Sequence, residues 1–296
     1  MNGHIPVLRD EVVQGLDPRA GEHLLDLTLG RGGHALEILE KTAPDGRLLG
    51  VDRDPDALAH AAEILPADRT ELVHGNFGDL PGLRGSIGKG TWDLVLADLG
   101  VSSPQLDEGE RGFSFRHDGP LDMRMDPTRE GTAAQLVEQL TEGQLVTLIA
   151  QLGEDRHARR IAGAIVRARA EQPIRTTGRL ASVIRAVVPN KVDSTVDAAT
   201  RTFQALRIAV NGELDALQHL LDRVGNLLSP GGRLAVISYH SLEDRKVKET
   251  FRTLMQEGDH RLVTPRPVRP SAEEVGRNPR SRSAKMRIIC RLGGGR

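Results

Sequence analysis

The chain has 296 residues, of which 38% are apolar, so it is long enough to bury one large core or two modest ones. Its single cysteine, Cys290, excludes disulfides and cysteine-rich metal sites and is typical of a reducing compartment. The first residues lack a secretion signal, and no apolar run reaches the roughly 18 residues of a membrane span. We therefore expect a soluble cytoplasmic protein with no membrane partner.

The formal net charge of −1 hides an asymmetry between the C-terminal segment and the rest. Residues 261–296 contain ten Lys or Arg and two acids, a local charge of +8, which leaves −9 on the other residues. A basic tail on an acidic body fits contact with nucleic-acid phosphates, for which Arg280 and Arg282 are candidates. It fits equally well a solvated tail that pairs with the body. We expect the Pro- and Arg-rich stretch 264–283 to be the least ordered segment.

The first predicted elements surround a glycine-rich loop. Residues 23–27 have the pattern of a short buried strand, 35–41 of a helix, and 47–51 of a second strand that ends at Asp52. Gly32 and Gly33 let a ligand approach the backbone at the start of the helix, where N–H groups are free. Together with an acid about 20 residues further on, this pattern indicates a nucleotide-type cofactor site.

The loop alone leaves two cofactors open. Gly30, Gly32 and Ala35 satisfy the relaxed dinucleotide fingerprint, which admits NAD. Asp26, just before the loop, would repel a pyrophosphate but attract the ammonium group of a methionine moiety. S-adenosylmethionine has no phosphate and has a ribose that Asp52 can hold, so these residues favour it over NAD. Asp26 can also be read as a carboxylate that caps the following turn.

Two more strands, near 70–74 and 93–98, continue the alternation of strands and helices that is typical of a parallel, doubly wound α/β sheet. The fourth strand ends at Asp98. Ligands of such sheets bind outside the carboxyl ends of the strands. We therefore expect Asp26, Asp52 and Asp98 to converge on one crevice.

A helical pattern replaces the strands for about 130 residues, and we interpret it as a helical domain inserted at 111–206 into an α/β domain formed by 1–110 and 207–296. Strands are predicted again at 233–239 and, as an antiparallel pair, near 260–264 and 285–292. The helices of the insertion and beyond are predicted at 133–140, 142–152, 155–171, 177–187 and 194–221.

One of these helices, 155–171, is basic. Arg156, Arg160 and Arg167 fall on one face of it, and Ile161 and Ile165 on another. This is the ordinary appearance of an amphipathic surface helix. Contact with RNA phosphates is the functional alternative.

Candidate catalytic residues follow two of the strands. The chain contains no His-Glu-x-x-His, Cys-x-x-Cys or Walker motif, which argues against zinc hydrolysis and P-loop chemistry, and we expect no metal. Ser102 and Ser103 lie on a sharp turn after the fourth strand, where a site is favoured over a simple exit from the sheet. His240 follows strand 233–239 and is either a site residue or a hydrogen-bonded corner. We expect Ser241 to cap the next helix, with Asp244 at its third position.

With these segments in place, the sequence resembles the bacterial small-subunit ribosomal RNA cytosine-N4 methyltransferases, the RsmH or MraW family. The resemblance covers nearly the whole chain. Its departures are Tyr239, where the family usually has Phe, and Leu27, where a small residue is commoner. The matching motifs lie at 4–8, 26–34, 51–55, 74–77, 98–107, 111–115, 119–126, 199–211, 237–246 and 278–287.

The resemblance implies a Rossmann-like class I methyltransferase with an inserted helical domain. It implies methylation of a cytidine in 16S rRNA near the decoding site, either in free rRNA or in the assembled small subunit. It also implies that the methyl donor, S-adenosylmethionine, is contacted by Gly32, Gly33, His34, Asp52, Phe77, Asp98 and Gln105.

The amine of cytosine is a poor nucleophile because its lone pair is delocalised into the ring, so acceptor groups must orient it about 3 Å from the methyl carbon. The Asn/Asp/Ser-Pro-Pro-aromatic motif that often serves this purpose is absent. Our candidates are Asp98, then the Ser102–Ser103 turn, then His240. A non-catalytic RNA-binding or assembly factor and an NAD-dependent oxidoreductase are the alternatives.

Overall fold

A computed structural model describes residues 6–79, 90–188 and 197–293 of the protein. The chain forms two compact units, one from Met1–Gly100 with Leu214–Arg296 and the other from Val101–Glu213. Two details of the sequence analysis, the start of the motif at 4–8 and the start of the helix predicted at 194–221, lie outside the described residues.

The first unit is built on a sheet flanked by helices. Its strands are β1 (Leu24–Asp26), β2 (Leu48–Asp52), β3 (Thr70–His74), β4 (Trp92–Asp98), β5 (Leu228–Ser238), β6 (His260–Leu262) and β7 (Lys285–Arg291). Its helices are α1 (Arg9–Leu16), α2 (Gly33–Lys41), α3 (Pro55–Ile64), α10 (Glu213–Leu221, which starts at the boundary), α11 (Val224–Leu227), α12 (Ser241–Glu257) and α13 (Ala272–Arg277).

The strand order within the described residues is β3-β2-β1-β4-β5-β7-β6. Strands β1 to β5 pair in parallel, whereas β7 runs antiparallel to both β5 and β6. This is the Rossmann-like topology of class I methyltransferases, so the predicted fold class is confirmed. The early strands and the closing antiparallel pair are confirmed as well.

The two faces of the sheet bury separate apolar clusters, because successive side chains of a strand point to opposite sides. Along β4, Val95 and Ala97 join a cluster that includes residues of α10, α11 and α12, whereas Leu94 and Leu96 join a cluster that includes residues of α1, α2 and α3. All four side chains are fully buried. Burial on both faces explains why the middle of this strand, residues 94–97 between Asp93 and Asp98, is a continuous apolar run.

The second unit is helical. Its helices are α4 (Ser103–Asp107), α5 (Ala133–Gln139), α6 (Glu142–Leu152), α7 (Ala158–Glu171), α8 (Thr177–Arg185) and α9 (Thr200–Asn211). Their apolar faces form one buried cluster that includes Leu145, Ile161, Leu180 and Phe203. The unit therefore has a core of its own.

Two of the differences between the structure and the predicted elements concern long segments. The helix predicted at 194–221 is broken between α9 and α10 at Gly212, whose φ of +58° lies in the left-handed region that ends helices. The stretch 264–283, expected to be poorly ordered, contains α13 and a 3-10 turn at Pro279–Ser283. That expectation was wrong.

In the part of the chain that the structure describes, no helix combines the length and the apolar character required to cross a lipid bilayer.

Candidate active site

Three aspartates lie at the carboxyl ends of adjacent parallel strands. Asp26 at the end of β1 is in register with Gly50 of β2 and Leu96 of β4. Asp52 and Asp98 each stand two residues beyond those partners, at the ends of their own strands. Because β1, β2 and β4 are parallel neighbours, the three carboxylates lie at one edge of the sheet, as predicted, and the negative charges of Asp52 and Asp98 both act on Asp26.

The glycine loop between β1 and α2 is held by the end of β2. The N–H of Gly30 donates to Asp52 Oδ2 at 2.7 Å. Gly30 and Gly32 have φ values of +53° and +81°, conformations that side chains with a Cβ rarely adopt. Gly32 caps α2 without a side-chain hydrogen bond, so the first turn of the helix starts directly after the loop.

Asp26 is buried almost completely, with 2% of the residue exposed. Its Oδ1 accepts the backbone N–H of Thr28 at 3.1 Å, which is the turn-capping contact considered from the sequence. Burial raises the pKa of Asp26 to about 8, the Thr28 hydrogen bond opposes this, and the charges of Asp98 and Asp52 add to it. Without a ligand this carboxyl group is therefore largely protonated at neutral pH.

Asp98 is fixed by contacts from three elements. Its N–H donates to Thr28 Oγ1 at 2.6 Å, and its Oδ1 accepts the hydroxyl of Tyr239 at 2.9 Å. Its Oδ2 lies 3.7 Å from Nε2 of His34, a buried residue of α2. Burial raises the pKa of Asp98 to about 7, the Tyr239 hydrogen bond lowers it, and the charge of Glu243 raises it. Asp98 thus titrates near neutrality.

The other end of the crevice lies beyond β2 and β3. Asp52 accepts a second backbone N–H, from Asp54 at 2.9 Å, and burial raises its pKa while the Asp54 and Gly30 hydrogen bonds lower it. Phe77 follows β3 and is 8% exposed. The guanidinium of Arg53 lies 5.9 Å from the centroid of the Phe77 ring and donates to Asn76 Oδ1 at 2.8 Å. Phe77 therefore places an aromatic ring after β3, the strand that pairs with β2 and its terminal Asp52.

His240, not Ser241, caps α12. The His240 side chain accepts the N–H of Glu243, and the Glu243 carboxylate accepts the N–H groups of His240 and Tyr239, which forms a reciprocal capping box. The predicted cap at Ser241 with Asp244 at the third position was wrong by one residue. Asp244 instead pairs with Lys285 at 3.0 Å and Arg287 at 2.7 Å. The spacing His-x-x-Glu was the signal for this box, and we missed it because His is not among the favoured cap residues.

Ser102, Ser103 and Gln105 belong to the second unit, where they start α4. The Ser102 side chain accepts the N–H of Gln105, and the Gln105 side chain accepts the N–H of Ser102 at 3.0 Å. Pro104 stands in the first turn. This capping box gives Ser102 a structural role that the sequence analysis did not include.

The three arginines expected on one basic helix face do not all lie on that helix. Arg156 precedes α7, which begins at Ala158, and its Nε donates to His157 Nε2 at 3.1 Å. The prediction that the three arginines share one helix face was therefore wrong for Arg156. Arg160 and Arg167 are exposed residues of α7, and Arg160 donates to the carbonyl of Val187 at 3.3 Å.

The basic C-terminal segment contains side chains held within the fold and side chains on its surface. Lys285 and Arg287 of β7 are neutralised by Asp244, and Arg291 donates to the carbonyl of Leu228 at 2.7 Å. Arg280 and Arg282 are exposed on the 3-10 turn Pro279–Ser283. The predicted pairing with the acidic body thus occurs for part of the segment. The 3-10 turn Pro279–Ser283 presents positive charges at the surface.

The crevice fits a cationic cofactor. Asp26 and Asp98 are buried carboxylates whose pKa values are raised by burial and by neighbouring acids. A positively charged ligand would stabilise their ionised forms, whereas the pyrophosphate of a dinucleotide would be repelled. Of the two cofactors, S-adenosylmethionine, which carries a sulfonium and an ammonium group, fits these residues.

Comparisons with known proteins agree with this site. The sequence profile of the MraW methylase family matches residues 1–292. A Symbiobacterium thermophilum protein named "Ribosomal RNA small subunit methyltransferase H" is 48% identical over 310 residues, which cover 99% of this chain and 98% of that protein. A protein of the same name from Synechococcus elongatus is 51% identical over 295 residues, which cover 98% and 95%.

A solved structure, described as a putative rRNA methylase from Clostridium thermocellum, covers 99% of both chains with a TM-score of 0.48 and 11% identity, which is too weak a similarity to add to the assignment. The profile match and the relatives confirm that the cofactor is S-adenosylmethionine. This chain belongs to the MraW methylase family.

Proposed function

We propose that this methyltransferase methylates the exocyclic N4 of a cytidine in 16S rRNA, near the decoding site. The full-length relatives that share about half of its residues are named for methylation of small-subunit rRNA. The observation that carries the choice of an amine acceptor is Asp98, a buried carboxylate that titrates near neutrality at the end of β4. An amine that gains a carbon must lose a proton, and such a group is suited to accept it.

The donor side of the site is formed by the glycine loop and the two neighbouring acids. When bound, S-adenosylmethionine supplies an electrophilic methyl group. Asp26 attracts the positive charge of the donor, and Asp52 accepts hydrogen bonds from ribose hydroxyls with the lone pairs that Gly30 and Asp54 leave open. The remaining proposed donor contacts are Gly32, Gly33, His34, Phe77, Asp98 and Gln105.

On the acceptor side, the chain must hold the amine so that its lone pair points away from the ring. Asp98 does this by accepting a hydrogen bond from an N4 proton, and it takes up that proton as the new C–N bond forms. Ser102, Ser103 and His240 are further proposed catalytic residues. The cytidine must leave its stack to reach Asp98, which places the target in an accessible stretch of RNA.

Phosphate contacts complete the proposal. Arg156, Arg160 and Arg167 of the second unit and Arg280 and Arg282 of the first are exposed cations that can neutralise RNA phosphates. The partner is 16S rRNA, as free RNA or within the assembled small subunit, and the reaction takes place in the cytoplasm.

The test is transfer of a labelled methyl group from S-adenosylmethionine to 16S rRNA, offered both free and in small subunits that lack the modification. Digestion to nucleosides and mass spectrometry then identify the product. We expect N4-methylated cytidine, made by the wild type and lost in Asp98→Asn. Label on a ring carbon or a ribose 2′-hydroxyl would overturn the choice of N4, and transfer to neither substrate would overturn the rRNA assignment.

A further inference from the structure

Tyr239 contacts Asp98 through its hydroxyl group. The hydroxyl donates to Asp98 Oδ1 at 2.9 Å. The ring lies over the backbone of Gly100, where an added Cβ would come within 3.3 Å of Tyr239 Cδ2. The N–H of Tyr239 donates to Glu243 Oε2 at 2.8 Å. The ring therefore lies against Gly100 while the backbone of Tyr239 is held by Glu243, and the hydroxyl reaches Asp98 from this position.

We propose that Tyr239 is a positioning residue that acts through Asp98, holding the carboxylate in one orientation and keeping it ionised at lower pH than burial alone would allow. This inference rests on the proposed role of Asp98 as the acceptor for the N4 proton. With Oδ1 engaged by Tyr239, we assign the substrate amine to Oδ2, which lies 3.7 Å from Nε2 of His34.

The direction of the effect follows from the groups that face Asp98. Burial and the negative charge of Glu243 on α12 favour the protonated carboxyl group, as does Asp26 on β1 through its mutual repulsion with Asp98. The Tyr239 hydrogen bond favours the carboxylate, and His34 on α2 would do the same when protonated. The Tyr239 hydroxyl is itself held neutral, because burial and the charge of Asp98 raise its pKa well above the usual value. It therefore remains a donor throughout the working pH range.

The contact is specific to chains that carry a tyrosine here. A Phe ring in place of Tyr239 can occupy the same space over Gly100 but has no hydroxyl to donate to Asp98. This chain should thus retain activity at a lower pH than an otherwise equal chain with Phe. Tyr239→Phe reproduces that difference by removing one oxygen atom.

The first experiment is single-turnover methylation of 16S rRNA at saturating donor, measured from about pH 5.5 to 9 for the wild type and Tyr239→Phe. Loss of one hydrogen bond to a carboxylate should move the acid limb up by about one pH unit. The rate should then fall about tenfold near pH 6 and stay within twofold near pH 9. Donor affinity, measured separately, should be unchanged at high pH.

The second experiment does not depend on activity. The chain contains one tyrosine, so protein labelled with 13C at the tyrosine ζ carbon gives a single NMR signal. That signal should shift as the pH passes through the neutral region, because the hydroxyl's partner changes between carboxylate and carboxyl. The shift should vanish in Asp98→Asn and persist in His34→Gln, which separates Asp98 from the neighbouring imidazole.

The outcomes distinguish the two proposals. If no RNA is methylated but the tyrosine signal follows Asp98, the proposed function fails and the Tyr239–Asp98 coupling stands without the substrate. If the signal does not respond to Asp98, or if Tyr239→Phe leaves the acid limb and the turnover unchanged, Tyr239 does not act through Asp98 and the inference is overturned. A thermal melt of Tyr239→Phe that matches the wild type shows that any change is not a loss of folding.

Discussion

The Asp52 carboxylate accepts the N–H of Gly30 at 2.7 Å, so the end of β2 fixes the glycine loop that follows β1. Its other oxygen accepts the N–H of Asp54 at 2.9 Å, which sets the turn into α3. Asp52 therefore shapes the donor site in addition to its proposed contact with the donor ribose. Substitutions of Asp52 should separate these two roles.

We expect Asp52→Ala to weaken S-adenosylmethionine binding by about 1–3 kcal/mol, because it removes a charged acceptor and releases the loop. Asp52→Asn is the matched control, since its amide oxygen can still accept one backbone N–H, and it should lose less affinity. Isothermal titration calorimetry measures both. Equal affinity in the wild type and Asp52→Ala would show that the donor does not depend on this carboxylate.

The crevice could be predicted because its signals are local in the sequence. An apolar strand, a glycine loop and an acid at the end of the next strand appear in order, and parallel pairing brings such strand ends to one edge. The Tyr239–Asp98 contact joins residues 141 positions apart. No local pattern encodes such a contact, and the sequence analysis considered Tyr239 only as a departure from the family's usual Phe.

The misplaced elements have physical reasons as well. The cap of α12 was shifted by one residue because Ser241 is a stronger intrinsic cap than His240, and the carboxylate of Glu243 reverses that preference by accepting two N–H groups. The stretch 264–283 looked irregular by composition. It is ordered by long-range contacts such as the pairing of Val268 with Met286 of β7.

Asp26 should couple donor binding to pH. Its pKa is about 8 in the folded, donor-free chain, whereas the ordinary value is 3.8, so it is mostly protonated at neutral pH. A cationic donor favours the ionised form, and binding at pH 7 should therefore release a proton and strengthen as the pH rises towards about 8 to 9. Calorimetry in two buffers with different ionisation enthalpies measures the released proton. Asp26→Asn should abolish the release.

The raised pKa of Asp26 also predicts that the stability of the donor-free chain depends on pH. Because Asp26 holds its proton more tightly in the folded chain than in the unfolded one, the free energy of unfolding falls as the pH rises from about 4 through about 8. Asp26→Asn removes this loss, so the donor-free variant should be more stable than the wild type at pH 8 by about 1–3 kcal/mol, with the difference fading towards pH 4. Thermal melts across this range would contradict the account if Asp26→Asn were destabilising at pH 8.

The exposed arginines should determine how RNA binding depends on salt. Each phosphate contact that is lost should reduce the slope of log affinity against log salt by about 0.7–0.9. We expect this for Arg280→Ala and Arg282→Ala and for Arg160→Ala and Arg167→Ala. Arg277→Ala is the control, because Arg277 pairs with Glu273 at 3.0 Å. Filter binding at several salt concentrations gives the slopes, and unchanged slopes in the multiple variants would assign these side chains to solvation.

His240 has a structural role and a proposed chemical role, and two substitutions distinguish them. His240→Ala removes the cap of α12 and should cost about 1 kcal/mol of stability, whereas His240→Asn supplies another cap residue and should cost little. If the imidazole also takes part in methyl transfer, both variants should lower single-turnover methylation by about 100-fold or more at unchanged donor affinity, the scale of a lost positioned acid–base group. Thermal melts and single-turnover rates, measured on the same preparations, give the two readouts. A His240→Asn enzyme with wild-type turnover would reduce His240 to the cap of α12 and leave Asp98 as the principal acceptor at the carboxyl ends of the strands.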